Sequence, residues 1–506
     1  MSELNKMTAV NSNDDERVLG SAVLLLMAIA AVRIFHLLFL YPVDLYPDEA
    51  QYWYWAQTPS FGYFSKPPLI AWAIAATTAV CGNAEGCVRL SSPLFQLGAS
   101  LFVLGIGRRL FSPLVGVWSA VAFATLPGVS VSAAVVSTDA SLLFFWAAAL
   151  YALVRILDKA EIRWWLLLGA AIGLGMMAKY AMAFFVLSLV LLLIVDGKAR
   201  TTFFERGSLF ATVLAGLIFL PNLIWNAQHR FVTLAHTEAN ANLSGSLFHP
   251  SALGEFLVSQ LGVFGPILFI ALMWLVIRRT RLLAQNPYRL LIVFAAPPLV
   301  LMTGLSLLSR ANANWAAPTY IAGTILVTAV LLAEGRKILL TVSAALHIGV
   351  AIAAFAVAGW AVTRPDALPS WADPLTRLRS WHSFGLDVAS VSEPVPHRGY
   401  LFEDRPELVE MLYYGMPQPV EVWKWSPSGV IHDHFDLTRN VASAPPGPLV
   451  LVTSTEKPDY ILEHFAHAEP IGSVRQFLGH GRQRAVRMFL VDGFKGYVSE
   501  TTEPAP

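Results

Sequence analysis

Charge is the property that this sequence has least of: only 14% of its 506 residues are Asp, Glu, Lys or Arg. A soluble domain carries about 25% charged residues, so this composition excludes an ordinary soluble protein. Hydrophobic residues make up 56% of the chain, and the mean hydropathy is +0.56. The shortage of charge therefore predicts a protein that crosses a membrane several times.

Two further absences narrow the function. No glycine-rich loop of the kind that cradles nucleotide phosphates stands out in the sequence. No basic tract with interleaved aromatic residues occurs, as single-stranded nucleic acid would require, and the net charge is only +1. We therefore expect neither a nucleotide site nor a nucleic-acid partner.

Long apolar runs recur through the first 360 residues. A membrane-spanning helix needs about 20 consecutive apolar residues. Eleven runs are predicted spans: 18–40, 88–106, 112–134, 138–156, 164–178, 180–196, 207–225, 254–277, 288–309, 316–333 and 338–360. The shorter run 68–80 fits a re-entrant helix, an interfacial helix or a twelfth span. Run 18–40 is long for a signal-peptide core and lacks a cleavage site, so we expect it to be retained.

Basic residues give these spans an orientation. With the N-terminus inside, the predicted inner loops hold the basic clusters: Arg108 and Arg109; Arg155, Lys159 and Arg163; Lys198, Arg200 and Arg206; Arg278, Arg279 and Arg281; Arg336 and Lys337. The predicted outer loops hold few basic residues, as the positive-inside rule requires. A twelfth span at 68–80 would invert every later loop, so the eleven-span topology is favoured.

The composition changes after residue 360, where Pro, Asp, Arg and His become more frequent. Strand-like runs at 448–452 and 487–491 are bounded by Gly and Pro, and residues 500–506 resemble a frayed tail. The prediction is an α-helical polytopic membrane protein with about 11 transmembrane helices and a small C-terminal α/β extracytoplasmic domain. Its parts are a cytoplasmic tail (1–17), a membrane domain (18–360) and the outer domain (361–506).

The first predicted outer loop concentrates the chemically active side chains. Asp48 and Glu49 follow Pro47, which suits the first turn of a helix, and the helix dipole favours carboxylates there. The aromatic run that starts at Tyr52 is expected at the membrane surface, and Lys66 precedes a double proline. The pattern predicts a juxtamembrane helix whose N-terminus carries chemistry. The alternative is that the two acids only cap the helix.

Other polar side chains fall at the predicted outer ends of later spans, where they are costly and usually mark function. They are Asp139, Lys179, His229, Arg230, Arg310, Asn312, Asn314 and Trp315. Arg230 is a candidate phosphate ligand because a guanidinium group binds two oxygens at once. Structural alternatives are a helix cap at Asp139, a snorkelling lysine at Lys179 and interface anchoring by Trp315.

The loop after the seventh span is long and polar toward Ser244 and Gly245, and such loops often act as lids. No cofactor is predicted; a divalent metal held by His229, His236 and Glu238 is the alternative, although their spacing matches no recognised pattern. The two cysteines, Cys81 and Cys87, share the first outer loop. In an oxidising periplasm they would form a disulfide, and otherwise they are buried thiols.

These motifs resemble the GT-C glycosyltransferases, in the branch of the protein O-mannosyltransferases and the bacterial lipid A aminoarabinose transferase. The resemblance is carried by Asp48-Glu49, by Lys66-Pro67-Pro68 and by a short Asp-bearing second outer loop, over residues 18–335. It implies a polyprenyl-phosphate sugar donor, a site facing the periplasm and multi-pass insertion in the bacterial inner membrane. The aminoarabinose transferases carry a metal-linked Glu where this chain has Ser65, which argues against a metal and against the same sugar.

The reaction implied is transfer of a hexosyl or pentosyl group to lipid A, lipopolysaccharide core, another surface glycan or a protein. Asp48 would accept the proton of the acceptor hydroxyl, and Lys66, helped by Arg230, would neutralise the leaving phosphate. Two alternatives are a lipid-linked glycan flippase, which would place charges at mid-membrane, and a structural subunit whose C-terminal domain carries the function.

Overall fold

The computed structural model describes residues 12–243, 247–428 and 430–497. Most of the predicted cytoplasmic tail, the predicted frayed tail, Ser244 and Gly245 lie outside these ranges. The chain forms two compact units. The first holds the chain up to Leu40, Ser60–Gly62 and Lys66–Ala354; the second holds Tyr41–Pro59, Tyr63–Ser65 and the chain from Phe355 onward.

Helices account for almost all regular structure before residue 364. In chain order they are α1 (Ser12–Phe39), α2 (Pro47–Gln57), α3 (Leu69–Cys81), α4 (Glu85–Arg89), α5 (Ser91–Leu110), α6 (Pro113–Thr125), α7 (Pro127–Ser132), α8 (Thr138–Asp158), α9 (Ile162–Ala178), α10 (Ala183–Val195), α11 (Gly197–Phe203), α12 (Arg206–Gln228), α13 (Val232–Ala241), α14 (Pro250–Val263), α15 (Pro266–Arg278), α16 (Thr280–Leu283), α17 (Tyr288–Leu308), α18 (Thr319–Ala333) and α19 (Lys337–Thr363).

Each predicted span coincides with one of these helices or with a consecutive pair. Within the described ranges, six helices are long and apolar enough to cross a membrane, or up to eight if each of two sharply bent pairs is one span. Four further apolar helices have 10–17 residues, among them α3. With 13 residues, α3 is about 20 Å long and too short to span the hydrocarbon core. The chain is thus a multi-pass membrane protein, and the count of eleven stays a prediction.

The predicted span 254–277 is bent in the structure, because α14 and α15 meet at an angle of 118°. Gly265 has φ +84°, and Pro266 has no N–H to continue the helical hydrogen bonds. The pair nevertheless connects opposite ends of the first unit. The N–H of His249 donates to the carbonyl of Leu307 at 2.7 Å, and α15 ends near the 2.7 Å ion pair between Arg279 and Glu334.

The loops predicted as inner and outer fall at opposite ends of the first-unit helices. At one end, ion pairs join Arg109 to Asp158 and Arg289 to Asp196. We call this end the basic end, and the opposite end, where α8 begins and α9 finishes, the site end. Between them, Trp146 of α8 contacts Phe185 of α10 with ring centres 5.2 Å apart, and both rings are fully buried.

The C-terminal part of the second unit is an α/β domain. Its elements are α20 (Trp381–Ser392), β1 (Tyr400–Phe402), α21 (Arg405–Tyr414), β2 (Val422–Lys424), α22 (His434–Thr438), β3 (Leu449–Thr453), α23 (Asp459–Leu462), β4 (Phe465–Gly479) and β5 (Arg482–Phe494). The strand order is β2-β1-β3-β5-β4, with β1 parallel to β2 and β3 and the remaining pairs antiparallel. Both strand-like runs that the sequence indicated, 448–452 and 487–491, lie in this sheet.

The structure joins Cys81 and Cys87 in a disulfide whose Cα atoms are 5.9 Å apart. Cys81 ends α3 and Cys87 lies in α4, so the bond closes the turn between these helices.

We expect Cys81→Ser to lower the free energy of unfolding by about 2 kcal/mol. The loss is modest because the disulfide closes only a short loop and so restricts the unfolded chain little. Thiol labelling of denatured protein should differ by two thiols per chain with and without reductant. Equal labelling would contradict the disulfide.

Candidate functional site

The two acids of the first loop differ in their surroundings. As predicted from Pro47, they lie in the first turn of α2. Glu49 is 1% exposed, and its Oε2 accepts a hydrogen bond from the N–H of Tyr46 at 3.0 Å, so it caps the helix. The side chain of Asp48 is 43% exposed and forms a 2.9 Å ion pair with Arg405. Asp48 is therefore the acid that a substrate can approach.

The aromatic run after these acids packs inside the second unit. Tyr52, Trp53 and Trp55 are buried, and the ring of Trp53 meets Tyr413 edge to face at 4.9 Å. Trp55 stacks on Tyr63 at 4.4 Å. Aromatic partners within the protein cover these rings, and their position at the membrane surface stays a prediction. Tyr52 itself contacts Trp55 at 5.4 Å.

Three of the predicted site residues meet at the site end of the first unit. Asp139 lies in the first turn of α8, where Oδ1 accepts from Lys179 Nζ at 2.6 Å and Oδ2 from Asn314 Nδ2 at 2.7 Å. The side chains of Asp139 and Lys179 are 12% and 22% exposed. The Asp139 carboxylate thus links the start of α8 to the turn after α9 and to the segment between α17 and α18. Both of its oxygens accept hydrogen bonds. We call these three residues the Asp139 cluster.

The Asp139 cluster lies at the edge of an apolar groove with a volume of about 470 Å³. Its walls include Leu126 and Val129 from the segment before α8, and Val263 at the break between α14 and α15. Asp139 and Asn314 are among the few polar side chains that line it. An apolar groove with a charged edge suits a molecule with a hydrocarbon part and a polar head.

Breaking the Asp139 cluster should cost stability. In Asp139→Asn one carboxylate oxygen becomes an N–H donor and faces either the amine of Lys179 or the amide of Asn314. The amide of exposed Asn314 can turn to accept the new donor, so the expected loss of about 1–3 kcal/mol comes from the charge-assisted hydrogen bond with Lys179. Thermal unfolding of the purified protein measures it. Asn312→Ala, in an exposed position two residues from Asn314, is the control with an expected change within about 0.5 kcal/mol. Equal stability of both variants would contradict the cluster.

The remaining predicted residues of this region do not join the cluster in the described contacts. Arg310 and Asn312 are exposed on the segment between α17 and α18. Trp315 packs near Phe256 and Met302, so it belongs to a small core. Neither sugar stacking nor interface anchoring by Trp315 is tested by this packing.

The segment after α12 contains backbone of an unusual kind. Arg230 and Phe231 both have φ +55°, a conformation that residues with side chains rarely adopt and that often marks functional loops. Arg230 is exposed, whereas His229 stacks on Trp225 at 4.0 Å. His229, His236 and Glu238 form no metal-binding group; within residues 12–243, 247–428 and 430–497 no three His, Cys, Asp or Glu side chains are grouped to hold an ion.

Sequence reasoning missed a polar network at the end of α12. Tyr180 donates to Asn222 Oδ1 at 2.8 Å and accepts from Asn226 Nδ2 at 3.0 Å. Asn222 Nδ2 in turn donates to the carbonyl of Phe61 at 2.7 Å. The detectable signal was two buried asparagines four residues apart in an apolar helix. The network fixes the segment that precedes Lys66.

Lys66 lies directly before Pro67 and Pro68, and α3 begins at Leu69. Both prolines are buried and Lys66 is half-buried. The two rings restrict φ and so define how the chain enters α3. Lys66 belongs to the first unit, with the Asp139 cluster and Arg230, whereas Asp48, Glu49 and Tyr52 belong to the second.

Parts of the chain are similar to known proteins. Residues 65–225 match the family described as dolichyl-phosphate-mannose-protein mannosyltransferase. The lipid A galacturonosyltransferase RgtD of Rhizobium johnstonii is 38% identical over 284 residues, 56% of this chain and 60% of RgtD. The lipopolysaccharide core galacturonosyltransferase RgtA of the same species is 29% identical over 211 residues, 41% of this chain and 42% of RgtA. The chain thus spans 60% or less of the length of these curated relatives.

The fold also has a counterpart among solved structures. ArnT from Cupriavidus metallidurans, solved with bound undecaprenyl phosphate, matches with a TM-score of 0.62 at 17% identity, over 92% of this chain and 97% of ArnT. At this identity the likeness concerns the fold. It confirms the fold that the first-loop motifs implied. The chain is thus similar over residues 65–225 to the mannosyltransferase family, and its fold is like that of ArnT.

Proposed function

We propose that this chain is a glycosyltransferase of the bacterial inner membrane, which transfers a sugar from a polyprenyl-phosphate donor to lipid A or lipopolysaccharide core at the periplasmic face. The names of RgtD and RgtA support the acceptor class, and the ligand in the ArnT structure supports the lipid carrier. RgtD and RgtA are named as galacturonosyltransferases, so we propose a hexuronic acid as the donor sugar.

One observation carries the proposal: an apolar groove of about 470 Å³ ends at the Asp139 cluster. A lipid-linked substrate has a matching arrangement of apolar and polar parts: a long hydrocarbon tail and an anionic head. The groove would take hydrocarbon, and the amide of Asn314, which lines it, would meet a polar head. A water-soluble nucleotide sugar would gain nothing from an apolar wall of this kind.

The reaction is a displacement at the anomeric carbon. The acceptor hydroxyl oxygen forms a bond to this carbon, the bond from carbon to the phosphate oxygen breaks, and polyprenyl phosphate leaves with the bonding electrons. Asp48 takes the hydroxyl proton, a role that its exposed carboxylate supports. Lys66 and Arg230 compensate the charge that grows on the leaving phosphate. Exposed Arg310 would attract the carboxylate of a hexuronic acid.

Mass spectrometry of surface glycolipids tests the proposal. Cells that lack the gene are compared with cells carrying the wild-type gene and with cells carrying Asp48→Asn at equal protein level. We expect lipid A or core to lose one hexuronosyl residue without the gene and to regain it only with the wild type. Unchanged glycolipids, or restoration by Asp48→Asn, would contradict the proposed transfer.

A further inference from the structure

The acid-bearing helix α2 is packed into the second unit along its length. Its Trp53 meets Tyr413 of α21, and the hydroxyl of its Tyr54 accepts a hydrogen bond from Arg439 Nε at 3.2 Å. Just before the helix, the N–H of Leu45 donates to the hydroxyl of Tyr414 at 2.8 Å. The α/β domain therefore supports the helix that presents Asp48.

One residue of that domain reaches the acid itself. Arg405 is the first residue of α21, and its Nη1 lies 2.9 Å from Asp48 Oδ1 and 2.8 Å from Gln51 Oε1. Asp48 and Gln51 are three residues apart and so share one face of α2. Gln51 is 3% exposed, whereas the side chain of Asp48 is 43% exposed. Arg405 thus links a buried, fixed amide to the carboxylate that remains accessible.

The backbone that carries Arg405 is itself anchored. Arg405 follows the carboxyl end of β1, where Glu403 Oε2 accepts from Thr453 Oγ1 at 2.6 Å and from Thr455 Oγ1 at 2.9 Å. Asp404 Oδ2 accepts from Ser454 Oγ at 2.9 Å. These bonds tie the end of β1 to the end of the parallel strand β3. The carboxyl ends of parallel strands are where α/β folds place functional side chains.

We propose that Arg405 is a positioning residue that holds the Asp48 carboxylate in the orientation needed for proton transfer. This inference rests on the proposed function, in which Asp48 is the base. A base must lie within hydrogen-bonding distance of the proton that it removes, and a displacement of about 1 Å costs up to a hundredfold in rate. The C-terminal domain would then contribute to turnover without contacting the reacting atoms.

A purely structural ion pair would behave differently. An ion pair between partly exposed side chains contributes little to stability, and losing the hydrogen bond to buried Gln51 costs about 1–3 kcal/mol, so Arg405→Ala should still fold. If the pair only docked α2, its loss would have the same effect as the loss of another contact between α2 and the domain. Arg439 provides such a contact, because it binds Tyr54 and also pairs with Glu421 at 3.0 Å. Arg439→Ala is therefore the matched control.

The experiment is steady-state kinetics on the full-length purified variants, with a polyprenyl-phosphate hexuronic acid as donor. We expect Arg405→Ala to lower kcat about tenfold or more, with the donor KM within about twofold of the wild type. Arg405→Lys keeps the charge but lacks the planar fork, so it should restore only part of the rate. Arg439→Ala should stay within about threefold of the wild-type kcat.

A double-mutant cycle shows whether Arg405 acts through Asp48. In an Asp48→Asn background, Arg405→Ala should cause no further loss of kcat, because the carboxylate that it positions is gone. The positioning role would be overturned if Arg405→Ala lowered kcat equally in both backgrounds. It would also be overturned if Arg405→Ala and Arg439→Ala had the same kcat. Either result would leave the proposed function intact. Wild-type activity of Asp48→Asn alone would overturn both the base and its positioning residue.

Discussion

Replacing Asp48 by asparagine is expected to lower turnover about a hundredfold or more and to leave donor binding in place, the range found when a general base is removed. Asparagine keeps the size of the side chain and can still accept a hydrogen bond from Arg405, so α2 should remain docked. What is lost is the ability to take a proton. Binding of a labelled polyprenyl-phosphate sugar and single-turnover transfer measure the two properties separately.

Glu49→Gln is the control for this prediction. Its amide oxygen can still accept from the N–H of Tyr46, so the cap survives and turnover should fall far less than in Asp48→Asn. Near-normal turnover of Asp48→Asn would mean that Asp48 only docks α2 on Arg405. Asp139 would be a poor substitute as base, because both of its oxygens already accept hydrogen bonds.

Asp373→Ala should destabilise the C-terminal domain by about 3–5 kcal/mol, because it leaves a buried arginine without its counter-ion. The side chains of Asp373 and Arg379 are 0% and 3% exposed. Arg379 also donates to the carbonyls of Ala361 and Leu478, at 2.9 and 3.0 Å, so its position is fixed by the backbone. Asp366→Ala, which removes a 61% exposed carboxylate near His480, should cost less than about 1 kcal/mol. Thermal unfolding in detergent compares them.

The same pair predicts a pH dependence. Burial raises the pKa of the Asp373 carboxyl, but hydrogen bonds from Arg379, the N–H of Leu375 and the nearby guanidinium charge outweigh it and hold the pKa below its usual value. A carboxyl with a lowered pKa stabilises the folded state above its unfolded-state pKa, about 3.9, and this contribution is lost as the pH falls below it. The stability difference between wild type and Asp373→Ala should therefore shrink below about pH 4. A constant difference would contradict the ion pair.

The sequence predicted features that depend on local pattern. Apolar runs located the helices, and Pro47 followed by two acids correctly indicated a helix start at that residue. The dipeptide Gly265-Pro266 is a strong turn signal. The break there was nevertheless not predicted, because the residues on both sides form one long apolar run. The protein partners of the aromatic run had no such signal, because amphipathic rings suit a membrane surface and a protein core equally.

Contacts between distant residues had no such signal. The sequence analysis named all three residues of the Asp139 cluster as candidates. However, Lys179 is 40 residues and Asn314 is 175 residues from Asp139, and no local pattern indicated that one carboxylate would bind both. Arg405 was missed for the same reason: it lies 354 residues from Gln51, and no local pattern indicated that the two would meet. Only the folded chain brings such residues together.

Transfer by the purified protein tests the central claim most directly. The protein in detergent is given lipid A and a polyprenyl-phosphate hexuronic acid with a labelled sugar, and no nucleotide sugar. We expect the wild type to produce labelled lipid A. We expect Asp48→Asn to bind the donor but to form no product. No product from the lipid-linked donor, or product that forms only when a nucleotide sugar is supplied, would contradict it.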